Sequence, residues 1–261
     1  MLWRGADRRR DNRGVHVVVD LHCHILPGLD DGARDLDDAV EMARQAEADG
    51  IEAICATPHI RVDHEVEIGS LPGRLTELRA ALVDAGCATR ILAGGELSAP
   101  LVDALDDEQL DAIALGGARR WVLLEPAAGP LDDGIEQAVQ ALHSRGRRAV
   151  IAHPERHLAP DLGDRLGRLV KRGALVQLTA DYFLHEGTRD GMLWLARRGL
   201  GHLLASDAHS SRAGRPVALS GALDALAAAG ADPDALQWTA QTAPIAVVSG
   251  RELEPRPLLA L

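Results

Sequence analysis

With 261 residues, 46% of them hydrophobic, the chain can bury the core of one large domain. Acidic residues outnumber basic ones by 39 to 28, and the net charge of −11 argues against nucleic acid as a partner, because phosphate contacts dominate such binding. No apolar run nears the roughly 18 residues that span a membrane, and three cysteines without paired spacing argue against disulfides, so we expect a cytoplasmic chain without membrane insertion.

The chain begins with a short basic segment that is followed by a series of apolar runs. Residues 1–14 are rich in Arg and interrupted by Gly and Asp, so we expect a disordered leader, then one domain over residues 15–250 and a C-terminal tail over residues 251–261. The apolar runs are mostly continuous, which is typical of parallel strands covered on both faces. The seven predicted strands are Val15–Asp20, Ala53–Pro58, Ile91–Glu96, Trp121–Pro126, Arg148–His153, Leu175–Ala180 and His202–Asp207.

Helical patterns lie between these strands, and each of them is followed by a glycine, which favours a helix C-terminus. Each interval between strands exceeds the dozen or so residues that a right-handed crossover needs. The sequence therefore predicts an α/β fold, a TIM-like (β/α)7 barrel with seven strands instead of eight. The predicted helices are Asp35–Asp49, Leu71–Ala85, Asp132–Arg145, Asp161–Arg172 and Thr188–Arg198.

Carboxylates and imidazoles recur where the predicted strands end. In β/α barrels these carboxyl ends meet at one mouth, where active sites lie. Carboxylates gathered there repel one another unless a cation separates them, and imidazole together with carboxylate suits Zn, Mn or Fe. The sequence therefore predicts a metal centre. Its candidate residues, in chain order, are Asp20, His22, His24, His59, Glu96, Glu125, His153, Asp207 and His209.

The spacing of the first two histidines supports this prediction. His22 and His24 are two residues apart, so in an extended segment both point to the same side and can bind one ion, whereas Cys23 points the other way and is expected to be a small buried residue. A single histidine at a strand end is more often structural, but a structural role would have to apply at five strand ends at once. His64, in the loop after the second strand, could contact either substrate or solvent.

These motifs resemble the polymerase-and-histidinol-phosphatase (PHP) superfamily. The elements that carry the resemblance are Asp20-x-His22-x-His24, Thr57-Pro58-His59, Gly94-Gly95-Glu96, His153-Pro154-Glu155-Arg156 and Ser206-Asp207-Ala208-His209. The segment His22-Cys-His-Ile-Leu-Pro-Gly-Leu-Asp-Asp-Gly32 and the His-x-Glu-Arg element look more closely like the capsule- and exopolysaccharide-type bacterial protein tyrosine phosphatases. The match runs over nearly the whole chain, and five motifs in order are specific evidence.

The resemblance implies a distorted seven-stranded barrel, the PHP fold, holding three divalent metal ions, with Mn²⁺ the favoured ion and Fe or Zn as alternatives. One ion would be held by His22, His24, Glu96 and Asp207, a second by Glu96, His59 and His153, and the third by Asp31, Glu125 and His209. Asp20 is expected to support a ligand histidine by a hydrogen bond, and Asp30 to be an exposed structural residue of the turn.

The resemblance also implies the reaction: hydrolysis of phosphotyrosine by a metal-bridged hydroxide, on a tyrosine autokinase of capsular or exopolysaccharide synthesis. Arg156 would bind the phosphoryl group together with Arg215, which is favoured over Arg212. Asp31 and His209 would share in catalysis. Tyr182 could stack on the substrate ring, or could simply pack at a strand end.

Two other functions stay open at this point. A PHP-type phosphoesterase acting on histidinol phosphate or another small phosphate monoester would need the same ligands. A non-catalytic binding module would have no reason to keep all of them. A cysteine mechanism is disfavoured although Cys55 and Arg61 fit the Cys-x5-Arg signature, because Cys55 lies in an apolar strand and Pro58 removes a backbone donor from the loop.

Overall fold

A computed structural model describes residues 19–256, 258 and 259 of the chain. The predicted leader, residues 1–14, and the start of the first predicted strand lie outside these residues. Residues of the predicted C-terminal tail contact the domain, since the Trp121 indole Nε1 donates a hydrogen bond of 2.8 Å to the carbonyl oxygen of Arg251.

The strands of the described residues pair in parallel in two sheets. The first sheet has the order β1-β2-β4 and the second the order β3-β5-β6-β7-β8-β9. Beyond β9, the Asp207 amide donates to the His22 carbonyl at 2.9 Å, so the end of the second sheet returns to the first. The result is an α/β fold with a curled parallel sheet. The strands are β1 Val19–Cys23, β2 Ala53–Ala56, β3 His59–Ile60, β4 Arg90–Leu92, β5 Glu96–Ser98, β6 Trp121–Glu125, β7 Arg148–Ile151, β8 Leu175–Thr179 and β9 Leu203–Ala205.

Helices connect the strands. The five predicted helices are confirmed to within a few residues at each end, and α1 begins after Asp35, whose carboxylate accepts from the Asp38 amide. Short helices at α3 and after residue 219 are not predicted, since these segments are too short for a clear period. No helix among the described residues has the length and apolar character that crossing a bilayer requires. The helices are α1 Leu36–Asp49, α2 Leu71–Asp84, α3 Asp107–Ala112, α4 Asp133–Ser144, α5 Leu162–Lys171, α6 Glu186–Arg197, α7 Ser220–Ala228, α8 Pro233–Gln237 and α9 Ala243–Val248.

The prediction of one continuous third strand over Ile91–Glu96 is wrong. The strand β4 ends at Leu92, and a new strand, β5, begins at Glu96. A Cβ atom at Gly95 would lie 2.8 Å from the Ile113 side chain, so the chain passes its neighbour too closely for any residue but glycine. The second predicted strand, Ala53–Pro58, is confirmed as β2 to within two residues, and a separate short strand that is not predicted, β3, begins at His59 just past its expected end. The breaks before β3 and β5 place His59 directly opposite Glu96 in the pairing of β3 with β5.

Both faces of the sheet are covered, as the continuous apolar runs predict. Successive residues of β6 belong to different core clusters: Val122 and Leu124 face the helices, whereas Trp121 and Leu123 belong to an inner cluster that α9 completes through Val247. The first strand extends to Cys23, three residues past its predicted end, so His22 lies within β1. The inner cluster is apolar, and the titratable residues gather at the carboxyl ends of the strands.

His202, the residue before β9, allows a test of the fold by pH. It is buried, its Nδ1 accepts a hydrogen bond of 3.0 Å from the Val176 amide, and burial lowers the pKa of His202 to about 4. The unfolded chain therefore binds this proton more tightly, so the stability is intact above the unfolded pKa of about 6.5 and falls as the pH drops towards 4. We expect this residue to cost about 2 kcal/mol of unfolding free energy between about pH 7.5 and about pH 5.

Urea denaturation in chelator at the two pH values measures the effect. The variant His202→Gln, which does not titrate, should show a correspondingly smaller loss of stability in acid. Equal losses in the two proteins would contradict the assignment.

Candidate metal centre

The nine predicted metal ligands converge around the buried carboxylate of Glu96. Its Oε2 atom lies 3.3 Å from the Nε2 atoms of His22 and of His24 and 2.9 Å from His59 Nδ1. Its Oε1 atom lies 2.8 Å from His153 Nε2. Glu125, Asp207, His209 and Asp31 complete the set, each within 4 Å of a member of this cluster.

Ligand atoms that lie within 4.8 Å of one another form four groups in the described residues. These groups are His24-Asp31-His59-His209, His22-His24-Glu96, His22-His153-Asp207 and His59-Glu96-Glu125. Glu125 therefore lies nearer to His59 and Glu96 than to the pair Asp31 and His209, with which the resemblance groups it. The groups also differ in depth, because Glu96 and His22 are fully buried whereas the side chain of Asp31 is 60% exposed.

The donor atoms of the cluster fit divalent cations. Among the buried side-chain atoms that make no hydrogen bond within the described part of the chain, four belong to the predicted ligands: His59 Nδ1, Glu96 Oε2, His153 Nδ1 and Asp207 Oδ1. The Nε2 atoms of His22 and His24 lie 3.1 Å apart, which is close enough for both nitrogens to bind one ion. Buried polar atoms without partners are costly, and a cation bound among them would remove that cost.

The carboxylates of the cluster are held in their charged form. Burial alone would raise the pKa of Glu96, but the positive charge of His22 and the contact with His153 lower it well below its usual range. Burial opposes ionisation of Asp207 too, yet the charges of His22, His153 and Arg156 lower its pKa to about 2. Burial, with the charge of His24, lowers the pKa of His209 to about 4, so this imidazole is neutral at pH 7, as metal ligation requires.

The side chains of Gln177 and Asp30 fix the orientations of the His22 and His24 rings. Gln177 Oε1 lies 3.0 Å from His22 Nδ1, and Asp30 Oδ2 lies 2.8 Å from His24 Nδ1. Each contact leaves the Nε2 atom of the ring facing the cluster. Asp30 has the expected structural role in the turn, since it accepts from the Gly32 amide at 2.9 Å. The expectation that it is exposed is wrong, because its side chain is 1% exposed and also accepts from the His59 amide at 2.8 Å.

Asp20 acts on the backbone and not on an imidazole, which corrects the predicted contact. Its Oδ1 accepts from the amides of His22, at 3.2 Å, and Ser206, at 3.1 Å, and so joins β1 to the segment after β9. Burial raises the pKa of Asp20 to about 6, against the lowering effect of the hydrogen bonds from Ser206. The ring of His22 is oriented by Gln177, which the sequence analysis does not single out.

The backbone is unusual at two of the predicted ligands. His153 has a φ angle of 30° and Asp207 one of 50°, and Arg119 is the only other non-glycine residue of the described ranges with positive φ. Both residues follow the end of a strand, β7 or β9. The left-handed conformation turns the chain at once, so each side chain is directed into the cluster.

Two arginines border the cluster at Asp207. The guanidinium of Arg156 forms an ion pair with Asp207 Oδ2, and Arg215 Nε donates to the Asp207 carbonyl at 2.9 Å. Arg212 instead lines a cavity beside α1, so the geometry favours Arg215 as the second arginine. Tyr182 lines a different cavity, of about 620 Å³, in which no predicted metal ligand takes part.

Asp38 connects two loops that carry predicted ligands, and sequence reasoning missed this role. Its carboxylate accepts from the amide and hydroxyl of Ser211, at 2.9 and 2.6 Å, and from the amide of Arg34 at 3.3 Å. It thereby ties the loop after Asp31 to the loop after His209. In the sequence Asp38 is one of several acids near the start of a helix, and no local signal distinguishes it.

Known proteins resemble the chain in sequence and in structure. The tyrosine-protein phosphatase YwqE of Bacillus subtilis is 32% identical over 201 residues, covering 74% of this chain and 78% of YwqE. The tyrosine-protein phosphatase CpsB of Streptococcus agalactiae is 23% identical over 207 residues, covering 74% of this chain and 83% of CpsB.

A solved structure gives the same family relationship. It belongs to work on YwqE from Bacillus subtilis and CpsB from Streptococcus pneumoniae, described as metal-dependent tyrosine phosphatases, and superposes with a TM-score of 0.78 at 27% identity, covering 92% of this chain and 99% of the other. The model of the family "Capsular polysaccharide synthesis, CpsB/CapC" matches residues 18–232. The resemblance predicted from the motifs is thereby confirmed: the chain belongs to the CpsB/CapC family.

Proposed function

We propose that this chain is a metal-dependent protein tyrosine phosphatase, a phosphoric monoester hydrolase. The observation that carries the proposal is the buried cluster of imidazoles and carboxylates around Glu96, bordered by Arg156 and Arg215. The family membership supports it, since the relatives compared above are named as tyrosine phosphatases.

We further propose that the cluster holds three divalent ions, with Mn²⁺ the favoured species. Ions bound there would supply Lewis acidity and would activate a water molecule as the nucleophile. The ligands would be the nine converging residues, with Glu96 shared between two ions because its two oxygens face different histidines. His22 and Glu96 are fully buried, whereas the side chains of His209 and Asp31 are 22% and 60% exposed and lie at the rim of the cluster.

The arginines account for binding of the phosphoryl group. Guanidinium groups donate paired hydrogen bonds to phosphate oxygens and stabilise the charge that develops on them. Arg156 and Arg215 both contact Asp207, which fixes their positions relative to the cluster. A tyrosine leaving group has a pKa of about 10, so its departure does not require a general acid.

Three finer features belong to the same proposal. The strands would make one distorted seven-stranded barrel if β2 with β3 and β4 with β5 each count as one broken strand, and the parallel bridge between Cys23 and Ala208 supports closure. The substrate would be a tyrosine autokinase of capsular or exopolysaccharide synthesis, for which the family description is the support. A cytoplasmic location fits the three free cysteines.

A substrate panel tests the proposed function. We expect a phosphotyrosine peptide to be hydrolysed faster than histidinol phosphate or sugar phosphates, with activity lost in chelator and restored by Mn²⁺. Activity that persists in chelator would contradict the metal-dependent mechanism. A strong preference for histidinol phosphate would favour the alternative, a phosphoesterase for small monoesters.

The adjacent residues Asp30 and Asp31 should differ in their roles. Asp31→Ala should remove bound metal and most activity while leaving the stability of the metal-free protein within about 0.5 kcal/mol, because its side chain is exposed. Asp30→Ala should weaken metal binding about 10- to 100-fold and also destabilise the metal-free protein by about 1–3 kcal/mol, because buried partners lose their acceptor. Metal analysis and denaturation of the chelated protein check both. An Asp31→Ala protein with full metal content would contradict the assignment.

Asp38 should affect both activity and metal binding, because it joins the loops that follow Asp31 and His209. We expect Asp38→Ala to lower kcat/KM about tenfold and to weaken metal binding, since the loops that carry Asp31 and His209 lose their shared anchor. The neighbouring Asp37, exposed in the same helical turn, provides the control, and Asp37→Ala should change neither quantity. Indistinguishable effects of the two substitutions would refute a positioning role for Asp38.

A further inference from the structure

A cavity of about 550 Å³ opens directly beside the metal cluster. Three of its lining residues, Glu125, His153 and Arg156, belong to the proposed site. Its other walls are the loop after β5, the loop after β6 and the side chain of Arg61. The apolar part of this wall consists of Val62, Pro100, Leu101, Pro126, Ala127 and Ala128.

Resting on the proposed phosphatase function, we propose that this cavity binds the aromatic ring of phosphotyrosine and that Arg61 is the residue on which the ring stacks. In an aryl phosphate one oxygen joins the ring to phosphorus, so a ring whose phosphate contacts Arg156 must lie in a space that also borders Arg156 and the metal ligands. The cavity beside Glu125 and His153 meets this requirement. The cavity that contains Tyr182 borders none of the nine ligands, which argues against Tyr182 as the stacking residue.

The ion pairs of Arg61 hold its guanidinium in an orientation that allows an aromatic ring to stack on it. Its Nε and Nη2 atoms donate to the two oxygens of Asp63, at 2.9 and 2.7 Å, and its Nη1 donates to Glu125 at 3.2 Å. Hydrogen bonds of a guanidinium lie in its plane, so these contacts fix the plane and leave its faces for a ring. A planar guanidinium with an open face stacks on an aromatic ring and attracts it electrostatically.

The same arrangement makes Arg61 a specificity residue and not a third phosphate ligand. Each of its nitrogens already donates to a carboxylate, and its side chain is 34% exposed on the cavity wall. A substrate without a ring, such as a phosphoserine peptide, could reach the arginines and the cluster but would leave the apolar wall uncovered. The cavity therefore selects aryl over alkyl phosphate esters.

Two variants and a matched control test this subsite. Arg61→Met removes the planar cation, and Ala127→Leu fills the cavity from an exposed position without changing charge. Ala159→Leu makes the same change in the cavity that contains Tyr182. Each protein is assayed with a phosphotyrosine peptide and with the phosphoserine peptide of the same sequence, with inorganic phosphate as a competitive inhibitor, and its metal content is measured.

We expect Arg61→Met to raise KM for the phosphotyrosine peptide about five- to tenfold, in line with the usual strength of a cation–aromatic contact. Ala127→Leu should also raise this KM, because the added side chain occupies the space of the ring. Ala127→Leu should leave the inhibition constant of inorganic phosphate, the rate with phosphoserine and the metal content as in the wild type. Arg61→Met should do so at saturating Mn²⁺, which is needed because Arg61 also donates to Glu125. Ala159→Leu should change none of these quantities. Unchanged KM in Ala127→Leu and Arg61→Met, or equal losses with both peptides, would overturn the ring subsite alone. A wild-type protein that does not hydrolyse the phosphotyrosine peptide would overturn the proposed function and the subsite with it.

Discussion

The buried charge of Glu96 is the constraint on which the rest of the site depends. A carboxylate removed from water must be compensated, and four imidazoles from β1, β3 and the end of β7 approach it within 3.3 Å. The breaks that create β3 and β5 place His59 opposite Glu96, and the glycines before Glu96 let the chain bend against its neighbour. Gln177 and Asp30 then aim the rings. The arrangement of the strands and the geometry of the predicted metal ligands therefore both depend on the side chain of Glu96.

Asp207 links this cluster to the arginines. One of its oxygens faces His22 and the other is paired with Arg156 and Arg215, so a single carboxylate positions cationic groups relative to the metal ligands. The protein carries a net charge of −11, yet the mouth presents guanidinium groups and a cluster suited to cations. Local placement of charge, and not the overall balance, decides which ligand this surface attracts.

Sequence reasoning succeeded where topology determines position and failed where a long-range contact does. The convergence of the ligands could be predicted because parallel strands bring their carboxyl ends together whatever the side-chain details. The break in the third strand could not be predicted. An apolar run with two glycines has the pattern of a continuous strand, and the close approach of Ile113 is visible only in the folded chain. Likewise Asp30 and Asp31 are neighbours of identical chemistry, and only the folded loop decides which one is buried. Gln177 contacts His22 across 155 residues, a distance over which no local pattern carries information.

The left-handed backbone at His153 and Asp207 has a consequence for how such a chain evolves. A non-glycine residue in this conformation costs on the order of 1–3 kcal/mol, which glycine would avoid. Selection for stability alone would therefore favour glycine at both positions, at the loss of an imidazole and a carboxylate. Glycine at position 153 or 207 would therefore relieve backbone strain and remove a ligand in the same step, so stability and metal binding make opposite demands on these two turns.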